Sequence, residues 1–219
     1  MRVKWLGHAC FLLTSSDGTK IVIDPYKVGG GLSYGEVSES ADVVLISHEH
    51  GDHNNPGAVK GNPVVIKGPG VKNAKGITFK GIASFHDEAK GSKRGANTMF
   101  AFEIDGVKVC HMGDLGHDLS EAQIKEVGQV DVLFLPVGGF YTCEPAEASD
   151  VAGKIAPKVI IPMHYKTSKV DTAQFGAICG LDEFLKGRTG VDRRDSSEAE
   201  FVAGKLPASI QVVVLKPAL

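Results

Sequence analysis

The sequence predicts an α/β protein of the α+β type, built from two mixed β-sheets with helices on the outside. Strand-like runs come in blocks with helical patterns between and after them, without the strict strand-helix alternation of a doubly wound sheet. The chain has 219 residues, 42% of them hydrophobic, which is enough to bury one sizeable core. We therefore expect residues 1–219 to form a single domain.

The first half of the chain is predicted to consist of short strands. Residues 3–6, 10–13 and 20–23 are predicted to form an opening meander. Residues 43–46 are four consecutive aliphatic side chains, which is typical of a buried strand. Further short runs separated by glycine and proline continue the sheet at residues 64–66, 77–79 and 82–84.

The second half combines a hairpin, two helices and further strands. An Asp-Gly pair joins residues 99–104 to residues 107–110, and it favours a type I′ turn because both central positions need positive φ. A helix is predicted over residues 120–128, where the first serine and a glutamine three residues later have capping-box spacing. A second helix begins at Pro145. Strands at 132–136, 159–162 and 211–215 follow, with another capping box at Ser197 and Glu200.

Composition argues against several classes of partner. A formal net charge of -2 gives no global basic field that would attract nucleic acid or a membrane surface. The N-terminus enters strand-like sequence directly, and no apolar run approaches the length of a membrane span. The four cysteines form no C-x-x-C pair and favour a reducing setting. We expect a cytoplasmic protein without nucleic-acid or membrane partners, and the sequence is compatible with a homo-oligomer.

A short segment directly after residues 43–46 is rich in metal-ligand side chains. It contains His48, His50, Asp52 and His53. Neutral imidazoles and carboxylates are the donors that zinc and related divalent ions take. His48 and His50 are two residues apart and can point the same way, so the other two side chains project toward a second ion. The alternative is a solvated polar loop that contains histidines by chance.

Three later candidates each follow a predicted strand: His86, Asp114 and His164. With the first segment they offer enough donors for two sites of three or more ligands with an open position. Each has an alternative. His86 could lie in an exposed polar loop, with His111 or His117 as the ligand in its place. Asp114 could cap a turn, and His164 could be a satisfied core histidine.

Other polar residues are candidates for supporting roles. Asp24 could accept the free N–H of a metal-bound imidazole, or it could belong to an Asp-Pro turn. His8, His111 and His117 are compatible both with a place behind the ligands and with the surface. Tyr165 could donate to a substrate oxygen, although an aromatic side chain after a strand more often packs.

A small basic run follows His86, formed by Lys90, Lys93 and Arg94. It could hold an anionic group. The favoured interpretation is a solvated loop, because charge runs usually face water.

The ordered motifs resemble the metallo-β-lactamase superfamily. The resemblance rests on residues 48–53, His86, Gly113-Asp114 and Met163-His164-Tyr165, and it extends over nearly the whole chain. It is strongest for the small bacterial hydrolases that include L-ascorbate-6-phosphate lactonase. The family implies an αββα sandwich with a dinuclear site at one sheet edge, usually occupied by zinc and in some members by manganese or iron.

The resemblance and the spacing together imply how the ligands are divided. One ion would take His48, His50 and His86, the other would take Asp52, His53 and His164, and Asp114 would bridge them. Asp52 and Asp114 are then candidates for orienting the nucleophile and passing a proton to the leaving group, with His117 and Tyr165 as outside candidates. One position departs from the family: Leu115 stands where a threonine is usual.

These expectations define a function. Two divalent ions, two carboxylates and a bridging hydroxide sum to about +1, so the site would attract anions. We expect a metal-dependent hydrolase that uses a metal-bound hydroxide on a small, possibly anionic, ester, lactone or phosphoester. A nuclease function is disfavoured because 219 residues leave no room for the extra domain of the RNA-processing relatives. The alternatives are an iron-dependent redox or oxygenase member of the fold and a metal-stabilised protein that binds a small anion without turnover.

Overall fold

The strands of the computed structural model, which describes residues 1–219, form two β-sheets. In chain order the strands are β1 Arg2–Gly7, β2 Cys10–Thr14, β3 Lys20–Ile23, β4 Val43–Ile46, β5 Val64–Lys67, β6 Gly70–Ala74, β7 Ile77–Phe85, β8 Ala96–Ile104, β9 Val107–His111, β10 Val132–Pro136, β11 Val159–Met163, β12 Val191–Arg193, β13 Glu198–Glu200 and β14 Gln211–Val214. The first sheet has the order β13-β1-β2-β3-β4-β5, and the second has the order β12-β14-β11-β10-β9-β8-β7-β6.

Both sheets contain parallel and antiparallel pairs. Strands β1, β2 and β3 form the predicted antiparallel meander, while β3-β4-β5 and β9-β10-β11 are parallel. The hairpin between β8 and β9 turns at Asp105 and Gly106, whose φ angles of 53° and 72° are those of a type I′ turn. The two mixed sheets and the hairpin are therefore confirmed.

The helices are short, and three of them cover the second sheet or one another. Their bounds are α1 Glu121–Val127, α2 Pro145–Ile155, α3 Thr172–Phe175 and α4 Leu181–Leu185, and a single 3-10 turn spans Pro56–Ala58. The predicted capping box is present at α1, where the Ser120 side chain accepts from the Gln123 amide. Helix α1 packs on β7, and α2 packs on β10 and α4. No helix is both long enough and apolar enough to cross a bilayer.

One cluster of buried apolar side chains fills the space between the sheets and continues beneath α1, α2 and α4. The outer face of the first sheet is covered differently. A second apolar cluster, which includes Tyr26, Leu32 and Tyr34 from the long loop after β3, lies on that face. The sandwich therefore has its longer helices on one side and mainly loops on the other.

Two predicted elements are wrong. The Ser197 and Glu200 spacing predicted a helix start, but residues Glu198–Glu200 form β13, which pairs with β1. Tertiary pairing overrides the local capping pattern there. Residues 77–79 and 82–84, predicted as two strands, form the single strand β7. Gly81 does not break it because it pairs with Gly70 on one side and Phe100 on the other. Glycine is needed there because a Cβ would lie 2.4 Å from the Gly68 carbonyl oxygen.

Candidate metal centre

Every predicted ligand lies at or just beyond the end of a strand, and the ends of both sheets meet at one edge of the sandwich. Strands β1, β3 and β4 of the first sheet are followed by His8, Asp24 and the segment 48–53, respectively. From the second sheet, β7 is followed by His86, β9 by Asp114 and β11 by His164. The fold therefore brings together side chains that are far apart in the sequence.

The first group of donors consists of His48, His50 and His86, whose ligand atoms lie within 4.8 Å of one another. Two of these rings are fixed from behind. Nδ1 of His86 lies 3.0 Å from the carbonyl oxygen of Tyr141, and Nδ1 of His48 lies 2.9 Å from Oγ of Ser47. These contacts leave Nε2 of both rings free to face the centre of the group, which is the usual arrangement behind a metal-ligating histidine.

The second group consists of His8, Asp52, His53 and His164, also within 4.8 Å of one another. It matches the predicted set of Asp52, His53 and His164 with one addition. His8 was predicted only as a supporting residue, but its Nε2 lies 3.2 Å from Oδ2 of Asp52 and its ring centroid lies 4.2 Å from that of His164. Because its contact with Asp52 joins residues 44 positions apart, nothing in the local sequence marks it.

Asp114 lies between the two groups and is almost fully buried. Its Oδ2 lies 3.0 Å from Nε2 of His86 and 3.2 Å from Nε2 of His164, and its Oδ1 lies 3.2 Å from Nε2 of His53. One carboxylate therefore contacts imidazoles of both groups. This is the position that a bridging ligand requires.

Asp24 lies behind the centre, fully buried. Its carboxylate accepts from the backbone amide and the hydroxyl of Ser47 at 2.8 and 2.7 Å, and its Oδ2 lies 3.0 Å from both His53 Nδ1 and His111 Nε2. Burial alone would raise the pKa of Asp24, but the hydrogen bonds from His111 and His53 outweigh burial and lower it. The ionised carboxylate fixes which nitrogen of His53 faces the ligand group.

The chemistry of the donors fits divalent cations. Several buried atoms that face the centre form no hydrogen bond, even where, as for Oδ1 of Asp114 and Nε2 of His53, they lie 3.2 Å apart: they are Nε2 of His48, His53 and His164, and Oδ1 of Asp114. Unpaired buried polar atoms are costly, so such a concentration needs a ligand to satisfy it. Burial, assisted by the neighbouring His53, lowers the pKa of His48 to about 3, which keeps this imidazole in the neutral form that binds metal.

An open cavity of about 540 Å³ lies over the two groups. Asp52, Asp114 and His164 reach its wall from the metal centre, and Arg94 and Phe175 reach it from surrounding loops. A cavity of this size is in the range of small-molecule sites. The candidate metal centre is therefore accessible to a ligand of modest size.

Three residues at the site have an unusual backbone conformation. His8, Asp24 and His164 have φ angles of 52°, 46° and 50°, in the left-handed region that non-glycine residues rarely adopt. Such conformations persist where the surrounding structure enforces them, and they concentrate at functional sites. Each of the three directly follows a strand; His8 and His164 belong to the second donor group, and Asp24 lies behind it.

Comparison with known proteins agrees with this geometry. Residues 2–164 match the family profile described as a β-lactamase superfamily domain. A relative named UPF0173 metal-dependent hydrolase from Korarchaeum cryptofilum is 33% identical, over 94% of this chain and 96% of its own. Another of the same name, from Methanoculleus marisnigri, is also 33% identical, over 76% of this chain and 82% of its own.

The chain belongs to the metallo-β-lactamase superfamily. A crystal structure from Thermotoga maritima, of an inferred Zn-dependent hydrolase of this superfamily, has a TM-score of 0.80 and 41% identity, covering 98% of this chain and 97% of that one. A metal-dependent hydrolase structure from Parabacteroides distasonis, at 20% identity and a TM-score of 0.66, shares the fold. The predicted metallo-β-lactamase fold is confirmed.

Two residues predicted as outside catalytic candidates lie apart from the cavity wall. Nε2 of His117 accepts from the backbone amide of Phe85 at 3.1 Å, and its Nδ1 contacts the carbonyl oxygen of Asp118. Both ring nitrogens are therefore bound to backbone groups. Tyr165 is buried against Trp5, with ring centroids 5.5 Å apart, and burial raises the pKa of its hydroxyl. Neither side chain therefore reaches the cavity, which argues against the predicted catalytic roles of His117 and Tyr165.

The structure also shows where His111 and Leu115 lie relative to the metal centre. His111, predicted behind the ligands, is buried and its Nε2 contacts Asp24 at 3.0 Å. Leu115, which stands where the superfamily usually has threonine, is fully buried in the main core. Its backbone carbonyl accepts from the amide of Cys143 at 2.8 Å. This position therefore contributes apolar packing beneath the centre in place of a hydroxyl.

Gly138 allows the loop after β10 to pass against the backbone of a metal-ligand candidate. A Cβ there would lie 2.2 Å from the carbonyl oxygen of His164 and 2.9 Å from Cα of Tyr165. We expect Gly138→Ala to lower the free energy of unfolding by about 1–3 kcal/mol, because backbone must move to admit the methyl group. It should also reduce metal binding by displacing His164. Urea denaturation and metal analysis measure the two effects.

Gly153, inside α2, provides the matched control. No atom lies within 4 Å of the position that its Cβ would take. Gly153→Ala should therefore leave metal binding unchanged and raise stability by about 0.5–1 kcal/mol, the usual gain from alanine in a helix. Equal stability and metal content in the two variants would contradict the close-approach argument.

Proposed function

We propose that this protein is a dinuclear metal-dependent hydrolase that acts on a small ester, lactone or phosphoester. The observation that supports it most directly is the position of Asp114, within 3.2 Å of imidazole nitrogens from both donor groups. A carboxylate shared by two groups of donors that consist mainly of imidazoles is suited to two cations. The names of the relatives, which are metal-dependent hydrolases, support the class of reaction.

The proposed ligands are divided as follows: His48, His50 and His86 for the first ion, Asp52, His53 and His164 for the second, and Asp114 for both. When bound, such ions lower the pKa of a water toward about 7 and stabilise negative charge on a substrate oxygen. Zinc is the proposed metal because it favours imidazole and carboxylate donors, and the same donors also accept manganese or iron.

The two carboxylates have different access to the cavity. The side chain of Asp52 is 25% exposed, whereas that of Asp114 is 1% exposed. Asp52 is therefore the carboxylate suited to hold a proton near a bound substrate, and Asp114 is suited to orient the ligands around it. His8, which contacts Oδ2 of Asp52 at 3.2 Å, orients that carboxylate from behind.

Further features support a small-molecule enzyme of a reducing compartment. The cavity of about 540 Å³ suits a metabolite-sized ligand. All four cysteines are free thiols, and three of them are buried. We propose that residues 1–219 act as one catalytic domain in the cytoplasm, with a small molecule as its partner and no nucleic acid.

Metal removal tests the proposal. Purified protein should contain about two divalent ions per chain by elemental analysis. It should hydrolyse at least one class in a panel of aryl esters, lactones and bis-p-nitrophenyl phosphate. Chelation should lower that rate at least about a hundredfold, and addition of zinc or manganese should restore it, because the nucleophile depends on the ions.

Three results would count against the proposal. Well under one ion per chain, with hydrolysis that survives chelation, would refute metal-dependent catalysis. Two tightly bound ions without turnover of any member of the panel would favour a protein that binds a small anion. Oxygen consumption that requires added iron, in protein purified without air, would favour the oxygenase alternative.

A further inference from the structure

One wall of the cavity is formed by a stack of side chains that the proposed hydrolysis does not use. The guanidinium carbon of Arg94 lies 5.0 Å from the centroid of the Tyr141 ring. The hydroxyl of Tyr141 donates to the carbonyl oxygen of Phe175 at 2.5 Å, and its own carbonyl accepts from His86. Arg94, Tyr141 and Phe175 all line the cavity. Tyr141 thus connects a metal-ligand candidate to a cation beside the metal centre.

The position of Arg94 is fixed by a buried carboxylate. Asp87, next to His86 in the sequence, accepts hydrogen bonds from four backbone amides of the following loop, including those of Lys93 and Arg94 at 3.1 and 2.7 Å. The loop closes with the amide of His86 donating to the carbonyl of Gly95 at 3.1 Å. Lys90 and Lys93 are exposed, as expected for a solvated loop, but the loop is a structured turn that places Arg94 on the cavity wall.

The cations on the cavity wall differ in their partners. Lys93 is paired with Glu88. The side chains of Lys27 and Arg94 form no ion pair and no hydrogen bond within the chain, and the guanidinium of Arg94 lies over the rings of Phe140 and Tyr141. Lys27 reaches the cavity from the loop after β3, where its backbone amide donates to the carbonyl of Gly51 at 2.9 Å. The only acidic residues on the wall, Asp52 and Asp114, belong to the proposed metal ligands.

We propose that Arg94 and Lys27 bind an anionic group of the substrate, a carboxylate or a phosphate, while its scissile bond lies at the metal centre. The inference rests on the proposed hydrolase function and names its substrate class. An unpaired guanidinium is the preferred partner of carboxylate and phosphate oxygens because of its planar array of donors. The apolar faces of Tyr141 and Phe175 provide the surface against which the body of the substrate packs.

The size of the cavity and the overall charge argue for a small anion and not for a polyanion. The cavity holds about 540 Å³, and the formal net charge of the chain is -2. A polyanion such as RNA would need an extended basic surface. The side chains of Lys27 and Arg94 lie instead on the wall of one small cavity, beside the proposed metal ligands, where they can bind a single anionic group.

Three aryl acetates that differ only in the group at position 3 test the substrate class in the metal-loaded protein: 3-acetoxybenzamide, which is neutral, 3-acetoxybenzoate and 3-acetoxyphenyl phosphate. We expect kcat/KM to be at least about tenfold higher for one of the anionic esters than for the amide. In Arg94→Gln this preference should fall about tenfold to hundredfold, mainly through KM, because a charge-assisted contact is lost. Arg94→Lys should recover part of it, and Lys27→Gln should lose a smaller part.

Arg188→Gln is the matched control, because its guanidinium also lies over an aromatic ring, that of Phe184 at 4.0 Å, but outside the cavity. It should keep the full charge preference. A second measurement does not require turnover. Phenylphosphonate binding, measured by calorimetry on proteins of equal metal content, should be at least about tenfold weaker in Arg94→Gln than in the wild type or Arg188→Gln.

The outcomes separate the inference from the proposed function. Ester hydrolysis without charge preference, together with equal phenylphosphonate affinity in wild type and Arg94→Gln, would overturn the anion site and leave the hydrolase function standing. A charge preference that survives in both Arg94→Gln and Lys27→Gln would also overturn it. Absence of hydrolysis, with phenylphosphonate binding that still depends on Arg94, would support the anion site and refute the proposed reaction.

Discussion

An Asp114→Asn variant is expected to bind fewer than one metal ion per chain and to hydrolyse esters at least about a hundredfold more slowly than the wild type. Asp114 is the only carboxylate that contacts both donor groups, with His86 on one side and His164 on the other. Asparagine keeps the shape but removes the negative charge, and its N–H₂ group has no lone pair with which to bind a cation. Elemental analysis and the rate on the best ester of the panel measure the two effects.

Glu49→Gln is the control for Asp114→Asn. Glu49 lies inside the segment that contains His48 and His50, yet its side chain is 72% exposed and contacts Lys67 at 3.1 Å on the surface. The same loss of one negative charge should leave both metal content and rate within about twofold of the wild type, since exposed ion pairs contribute little. Two ions per chain and an unchanged rate in Asp114→Asn would refute the bridging role.

Asp24→Asn is expected to have the largest effect on stability, lowering the free energy of unfolding by about 3–5 kcal/mol. The buried carboxylate accepts from Ser47, His53 and His111, and these buried donors lose a charged acceptor in the variant. Metal affinity should fall about tenfold to hundredfold, because His53 loses the contact that orients it. Urea denaturation and competition with a chelator measure these changes.

The same substitution at an exposed aspartate shows how much of the effect of Asp24→Asn comes from the burial of Asp24 and its contacts. Asp17 is exposed and accepts from the backbone amide of Thr19 at 2.9 Å within a surface turn. Asp17→Asn should change the free energy of unfolding by less than about 1 kcal/mol and leave metal affinity unchanged. If Asp24→Asn were no more destabilising than this control, the argument that Asp24 holds the metal ligands in place would fail.

The sequence predicted those parts of the fold and site that depend on local signals. The aliphatic run at β4 and the ligand types that follow it lie within one short segment, and the Asp-Gly turn needs only two residues. Hydrophobic periodicity and turn chemistry act over such distances. The second half of the donor set was predictable only because each member follows a strand and because the motif order resembles a known family.

The features that sequence could not provide depend on contacts between distant segments. His8 contacts Asp52, and β13 pairs with β1. Both contacts join parts of the chain that share no local sequence pattern. The role of Arg94 was equally hidden. A run of basic residues is normally solvated, and only the buried carboxylate of Asp87 and the ring of Tyr141 turn this one toward the cavity.

The proposed metal ligands come from two separate sheets, which would couple metal binding to the stability of the folded chain. Each proposed group of metal ligands combines residues from both sheets. Ions bound there would therefore stabilise the packing of one sheet against the other. Ligands that bind only the folded state shift the folding equilibrium toward it. Scarcity of metal would therefore make the protein more susceptible to proteolysis and also lower its catalytic activity. The amount of protein and its activity would decline together.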